Sequence, residues 1–312
     1  MMAPLLQALK RSQGVEHSIP MERFYRHVGI SRQGFSKKAQ RSRHEQCMIQ
    51  ELTGLVHGYR KKKDRRAGSR SLYANLGVKV KFDMGVTKFE RLMSANGLSL
   101  APLRTRVVTT RSSMQSWNYK NLINGLTLTG INQVVAGDIT YIYHEGRRYY
   151  LFCLIDLYSA RIVGHHIGPN MRAEDAKQAL DQWVRLRKKE TLKNCIHHTD
   201  GGGQYFSGLY LSELGQLKVR ISRAENCLKN GYAEQRNGLI KYHLLPTIQA
   251  DSESKFSQEI SRIIRLYNQE RKQEGLGWLS PVGFEKKIAG LCIKPERNLY
   301  NFNLDDDGFD EA

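Results

Sequence analysis

The chain is 312 residues long and carries 49 Lys and Arg against 30 Asp and Glu, a formal charge of +19. That length gives room for one or two domains with a real core, which excludes a small disulfide-stapled peptide, and cysteines at 47, 153, 195, 227 and 292 form no CxxC pair that would suggest a zinc site. No run of about 18 apolar residues could span a bilayer and residues 1–20 lack the apolar stretch of a secretory signal, so a cytoplasmic protein with no membrane partner is expected.

The charge is uneven: residues 1–120 hold 24 Lys and Arg against 7 Asp and Glu, and the remainder holds 25 against 23. Such a basic block attracts a polyanion, because displacing counterions from a phosphate backbone is a strong source of affinity. Within it, Phe24 to Val28 and Ser31 to Ala39 predict a helix-turn-helix, with Ser31 as N-cap and Arg32, Gln33, Ser36 and Lys37 facing solvent. The densest run, Arg60-Lys61-Lys62-Lys63-Asp64-Arg65-Arg66, lacks the bulky apolar face of a membrane-surface helix and favours nucleic acid. A second helical pair is predicted from Ser69 to Asn75 and from Thr87 to Asn96, separated by a turn and stopped by Gly97. Residues 1–104 are thus read as a basic, all-α DNA-binding region, and 105–129 as a linker.

From Gln133 the pattern changes to strands. Val134 to Tyr143, Tyr149 to Leu157 and Arg161 to Ile167 read as a three-strand meander. Ala173 to Lys189 follows as an amphipathic helix with acids in its first turn and bases in its last, then a short strand, Asn194 to His197, runs into Asp200. This succession predicts an α/β core of the ribonuclease-H kind over 130–250, a mixed five-stranded sheet flanked by helices. A helical segment is expected over 251–292 and an acidic, disordered tail over 293–312.

Three carboxylates stand out. Asp138 shares strand parity with the apolar Val134, Ala136 and Ile142, an expensive place for a charge unless it is paired or holds a cation. Asp200 ends a strand and meets Gly201-Gly202-Gly203, which leaves space beside the carboxylate. Glu234 opens a segment with an apolar stripe at Ala233, Ile240 and Leu244, and two helical turns carry Lys241 round to its face. Three acids from separate elements suit a two-metal site with ions about 3.5–4 Å apart, and oxygen ligands suit Mg2+ or Mn2+.

The residues around these acids resemble a known family. Gly137-Asp138-Ile139-Thr140-Tyr141-Ile142, His198-Thr199-Asp200-Gly201-Gly202-Gly203-Gln204-Tyr205-Phe206-Ser207 and the stretch from Ser222-Arg223 to Glu234 are similar to the three blocks of bacterial insertion-sequence transposases with a retroviral-integrase-like (DDE) core, of the second-reading-frame type. Flanking segments match too: Gly58-Tyr59-Arg60 and Arg91 to Leu98 upstream, Tyr267 to Arg271 and Ser280 to Glu285 downstream.

The resemblance implies a DNA transposase with Asp138, Asp200 and Glu234 as catalytic metal ligands for two Mg2+ or Mn2+ ions, Asp138 bridging both. It also implies cleavage at element ends, 3′-hydroxyl strand transfer during DNA integration, and no covalent protein intermediate. Tyr232, His197 and His198 are therefore read as packing or supporting groups, and Asp156 as a supporting acid. DNA contacts are assigned to Lys241, Asn230, Lys229, Arg223, Arg60, Lys61, Lys62, Lys63, Arg32 and Lys37. The implied partners are terminal inverted repeats, target DNA, further copies of the chain on DNA, and an upstream reading-frame product fused by frameshift. The chain departs from the pattern at Glu225-Asn226, Lys229-Asn230-Gly231 and Gln235, and only 33 residues separate Asp200 from Glu234. The alternative reading is an inactive transposase relic that acts only by binding DNA.

Overall fold

The protein is seen in a computed structural model that describes residues 21–101, 118–224 and 237–299, apart from 246, 247, 249 and 251. Its contacts divide the chain into two units, 1–56 and 57–312. Among the described residues no helix is long and apolar enough to cross a membrane.

Helix α1 (Met21–Val28) precedes α2 (Arg32–Lys62), and Ser31 caps α2 by accepting the Gly34 N–H at 3.1 Å. The expectation that this second helix ends at Ala39 is corrected: it continues for 31 residues to Lys62. No proline interrupts it, and Leu52 and Val56, one turn apart, are both buried, so packing carries the helix past Gly54 and Gly58.

In the larger unit, α3 (Ser69–Leu76), α4 (Val78–Phe82) and α5 (Val86–Ala95) follow. Two expectations change here. Ser69 at the start of the expected helix reads as its N-cap, but Gly68 is the N-cap of α3 and the Ser69 hydroxyl bonds Glu90 at 3.2 Å. The expected turn before Thr87 contains α4, anchored by the fully buried Val78; five residues are too few to display a helical period.

The core is a five-stranded sheet in the order β4-β3-β2-β5-β6. Its strands are β2 (Val134–His144), β3 (Arg147–Asp156), β4 (Ile162–Gly168), β5 (Ile196–Thr199) and β6 (Arg220–Arg223). β2, β3 and β4 pair antiparallel, whereas β5 and β6 join parallel to β2. Three antiparallel strands first, then two parallel ones reached through helices, is the mixed α/β sheet of the ribonuclease-H-like fold.

Two helices, α6 (Ala173–Arg187) and α7 (Gly208–Gln216), cover one face, where Phe152, Leu154, Trp183 and Tyr210 are buried. The other face takes Ile142, Leu151 and Cys153 against a π-helical turn, Ile240–Leu244, and α8 (Glu253–Gln269). Alternate residues of β2 and β3 serve the two faces, as the period of two requires. On α8, Phe256, Ile260, Ile263, Ile264 and Tyr267 form the buried stripe, and Asn268 bonds both the N–H and the C=O of Ile162, satisfying the edge of β4.

Two further expectations are corrected. The supposed linker contains β1 (Thr127–Leu128), which pairs antiparallel with β7 (Arg297–Asn298) from the supposed disordered tail. Leu128 and Leu299 are buried beside α9 (Pro281–Ala289), so this ribbon is held by side-chain packing that two-residue strands cannot announce in sequence. Residues 300–312 lie outside the described ones.

Candidate active site

Asp138 sits in the middle of β2, opposite Cys153 of β3, on the face that packs against the π-helical turn. On its other side β5 runs parallel, with Val134, Val135, Ala136 and Gly137 opposite Ile196, His197, His198 and Thr199. The paired register ends there, so Asp138 and Asp200 each directly follow the last paired residues of neighbouring strands, which lie about 4.8 Å apart.

Both acids are half-buried and held by short bonds. Asp138 Oδ1 accepts the N–H of Ile139 at 2.9 Å, and Oδ2 accepts Nδ2 of Asn237 at 2.7 Å. Asp200 Oδ1 accepts the Gly202 N–H at 3.1 Å. Burial raises the Asp200 carboxyl above its ordinary value, partly offset by that N–H, so a nearby cation would favour its charged form. A Cβ on Gly202 would lie 3.3 Å from Asp200 Oδ1 and 2.9 Å from Gln204 Oε1. The glycine therefore keeps the mouth of the site clear.

The rest of that sequence block is structural. Tyr205 and Phe206 enter the core, and Ser207 caps α7 by accepting the Tyr210 N–H. His197 is buried between Val135 O (3.1 Å) and the Tyr210 hydroxyl (3.0 Å), and His198 Nδ1 meets Ser222 Oγ at 2.8 Å. Burial lowers His197 to about 4, so it packs as a neutral ring. Asp156, fully buried at the end of β3, accepts N–H groups of Asn132, Tyr158 and Ser159 and lies 3.8 Å from Arg187. It ties the chain locally. Arg187 and Arg161 both grip Glu285 of α9, joining that helix to the core; burial works to raise the Glu285 carboxyl, but the two guanidiniums hold it below the usual range.

Glu234, Lys229 and Asn230 lie outside the described residues, as does Tyr232. Among the described residues, no group of three His, Cys, Asp or Glu side chains could hold a metal. The two acids that are described supply carboxylate oxygens, the donor type that suits Mg2+ or Mn2+. Asn237 had no signal of its own in the sequence beyond standing three residues after Glu234.

The assigned basic residues divide. Lys241 Nζ sits 3.9 Å over the Tyr141 ring, on the strand that carries Asp138. The π-helical winding at Ile240–Leu244 replaces the regular α-helical spacing that sequence alone suggested. Arg223 ends β6, next to Asp200's strand. The Arg60 guanidinium bonds Leu98 O at 2.8 Å and Ala67 O at 2.9 and 3.2 Å, so these donors hold the helical segment together. Lys63 pairs with Glu270 at 2.6 Å, whereas Lys61, Lys62, Arg32 and Lys37 are exposed. Asp64, in the same run, is buried against His243 (2.9 Å) and Arg271 (3.1 Å); burial works to raise its carboxyl, but those partners hold it below the usual range.

The sheet order is that of a ribonuclease-H-like core. Two family models, both described as integrase core domain, match residues 129–226 and 216–281. The chain is 29% identical over 213 residues to the insertion element IS600 31 kDa protein of Shigella sonnei, covering 67% of this chain and 78% of that one. It is 35% identical over 167 residues to the transposase InsF for insertion sequence IS3A of Escherichia coli, covering 51% of this chain and 56% of the relative. Residues 129–281 are thus similar to integrase core domains, and the chain is similar to proteins of bacterial insertion sequences. Among solved structures, the HTLV-2 integrase catalytic core domain in complex with magnesium superposes with a TM-score of 0.40 at 17% identity, covering 53% of this chain and 99% of that one. A simian T-cell lymphotropic virus intasome chain superposes with a TM-score of 0.45 at 15% identity, covering 74% of this chain and 75% of that one.

Proposed function

We propose that the chain is a DNA transposase that cuts DNA strands at the ends of a mobile element and joins the freed 3′-hydroxyls to target DNA. The observation that carries the reading is that Asp138 and Asp200 directly follow Gly137 and Thr199, the last paired residues of adjacent parallel strands, in a chain whose relatives include a transposase. Glu234 is the third acid of the proposal. Asn237, three residues after it in the sequence, already touches Asp138, and three residues of extended chain reach at most about 11 Å.

Mg2+ or Mn2+ bound by Asp138, Asp200 and Glu234 would supply Lewis-acid polarisation of the scissile phosphodiester and a lowered pKa for water or a 3′-hydroxyl. The chain's own part is to fix the acids. β2 carries Asp138 and β5 leads into Asp200, Asn237 orients one Asp138 oxygen, and the Gly202 amide orients Asp200. Lys241 and the exposed Lys61, Lys62, Arg32 and Lys37 would hold phosphates, and Arg223, Lys229 and Asn230 complete the proposed DNA contacts. Action in the cytoplasm, assembly of several copies on DNA and fusion to an upstream reading-frame product belong to the same proposal.

The test incubates the protein with labelled DNA carrying candidate terminal inverted repeats and Mg2+, beside Asp138→Asn, Asp200→Asn and Glu234→Gln. Nicked and joined products from the wild type, lost in all three variants while DNA binding persists, are expected. Binding by the wild type without any chemistry would favour the relic, and chemistry that survives Asp138→Asn would refute the ligand assignment.

A further inference from the structure

The hairpin joining β2 to β3 carries a feature that neither the acids nor the fold requires. Among the described residues, the tyrosines exposed by more than a third are Tyr141 (44%), Tyr143 (59%) and Tyr242 (38%), and they gather in one place. The Tyr141 and Tyr143 rings stand edge to face with centroids 5.9 Å apart. Lys241 Nζ lies 3.9 Å from the Tyr141 centroid and 5.8 Å from that of Tyr242. The Arg148 guanidinium lies 5.9 Å from the Tyr141 centroid and 5.4 Å from that of Tyr143, and donates to the Tyr143 hydroxyl at 2.7 and 3.1 Å.

This patch is rigidly mounted. The turn Glu145-Gly146 has positive φ at both residues (48° and 75°), the tight two-residue hairpin geometry, and the neighbouring His144 ring stacks on the buried Phe256 of α8 at 4.1 Å. Rings that only stabilised the hairpin would gain by burial. Here three remain open to water beside two cations, with Glu145 and Arg147 of opposite sign at the tip. Exposed aromatic faces interleaved with cations are what a single-stranded nucleic acid recognises: bases stack on the rings and phosphates meet the ammonium and guanidinium.

Three and five residues along β2 from Asp138, Tyr141 and Tyr143 alternate onto the opposite face of the strand from that acid, about 10 and 17 Å along its length.

We propose that Tyr141, Tyr143 and Tyr242, with Lys241 and Arg148, form a stacking platform for unpaired bases of a DNA strand, on the same strand of the sheet as Asp138 and on its other face. The proposal rests on the transposase reading and adds to it a preference for DNA with a frayed or overhanging end.

The test measures binding by fluorescence anisotropy to a blunt duplex and to the same duplex with a five-nucleotide overhang carrying 2-aminopurine, using the full chain as wild type, Tyr143→Ala and Tyr143→Phe. The wild type should bind the overhang more tightly and quench the 2-aminopurine. Tyr143→Ala should weaken overhang binding by about 5- to 150-fold, the worth of one base stacked on a ring, with blunt binding unchanged. Tyr143→Phe, which keeps the ring and loses only the hydroxyl, should retain the preference. Equal binding of both DNAs by the wild type, or an overhang preference untouched by Tyr143→Ala, overturns the platform and leaves the transposase reading standing. Failure of the wild type to bind either DNA overturns both.

Discussion

Gly137→Ala is expected to damage both stability and the site, because the added methyl meets atoms that cannot retreat. A Cβ at Gly137 would lie 2.9 Å from His197 Cε1, 3.2 Å from Leu154 Cδ2 and 3.2 Å from Thr199 Cγ2, where ordinary contact begins at 3.4 Å. His197 is pinned at both ring nitrogens, to Val135 O and the Tyr210 hydroxyl, and all three neighbours are buried. The relief must come from β5 moving away from β2. Overpacking of this kind costs about 1–3 kcal/mol. At about 2–4 °C per kcal/mol for a unit of this size, the melting temperature should fall by about 2–12 °C. β5 leads directly into Asp200, so a displacement approaching 1 Å should also lower strand transfer by up to about 100-fold. Differential scanning calorimetry beside Gly208→Ala provides the control. No heavy atom lies within 4 Å of a Cβ at Gly208, the first residue of α7, so that substitution should be neutral or stabilising by about 0.4–1 kcal/mol. A Gly137→Ala protein that melts with the wild type would refute the claim that the β2–β5 spacing is set by this glycine.

Two further outcomes follow from charge and burial. Burial holds both His165 and His197 near pH 4, below the unfolded value of about 6.5, so the unfolded chain binds more protons between those values. Their contribution is full above about pH 6.5 and is lost as the pH falls toward 4, at up to about 1.4 kcal/mol per pH unit for each ring. Denaturant midpoints measured from pH 7.5 to 5 should fall, less steeply in His165→Gln; a slope identical in that variant would refute its part. Arg60→Ala should lower the melting temperature by removing three bonds to Ala67 and Leu98, and leave the salt dependence of DNA binding nearly unchanged. Lys61→Ala and Lys62→Ala should do the reverse, each reducing the slope of log K against log salt by about 0.9; the opposite pattern in an anisotropy titration would refute the division.

Much of the sheet was legible because strand period and β-branched runs are local. Val134 to Tyr143 was expected as a strand and is found as Val134–His144, with Asp138 on the parity of Val134, Ala136 and Ile142. The amphipathic helix after the meander begins at Ala173 as expected and ends two residues earlier, at Arg187, where Lys188 takes a positive φ. The basic run over 60–66 looked uniform, yet Arg60 and Asp64 are committed to internal contacts while Lys61 and Lys62 are not. Nothing in their neighbours along the chain distinguishes them; the carbonyl of Leu98 and the side chains of His243 and Arg271 do.

By itself, then, the sequence determined the element types, the two-faced pattern of the strands and the carboxylates that stand out from it, since each depends on residues a few positions apart. Tertiary structure alone decided that Gly137 and Thr199, each one residue before an acid, pair across β2 and β5, that Asn237 reaches Asp138, that Tyr141 meets Lys241 and that residues 297–298 return to pair with 127–128. These depend on which strands and helices pack together. That choice is made by burial summed over the whole core, and no local pattern encodes it.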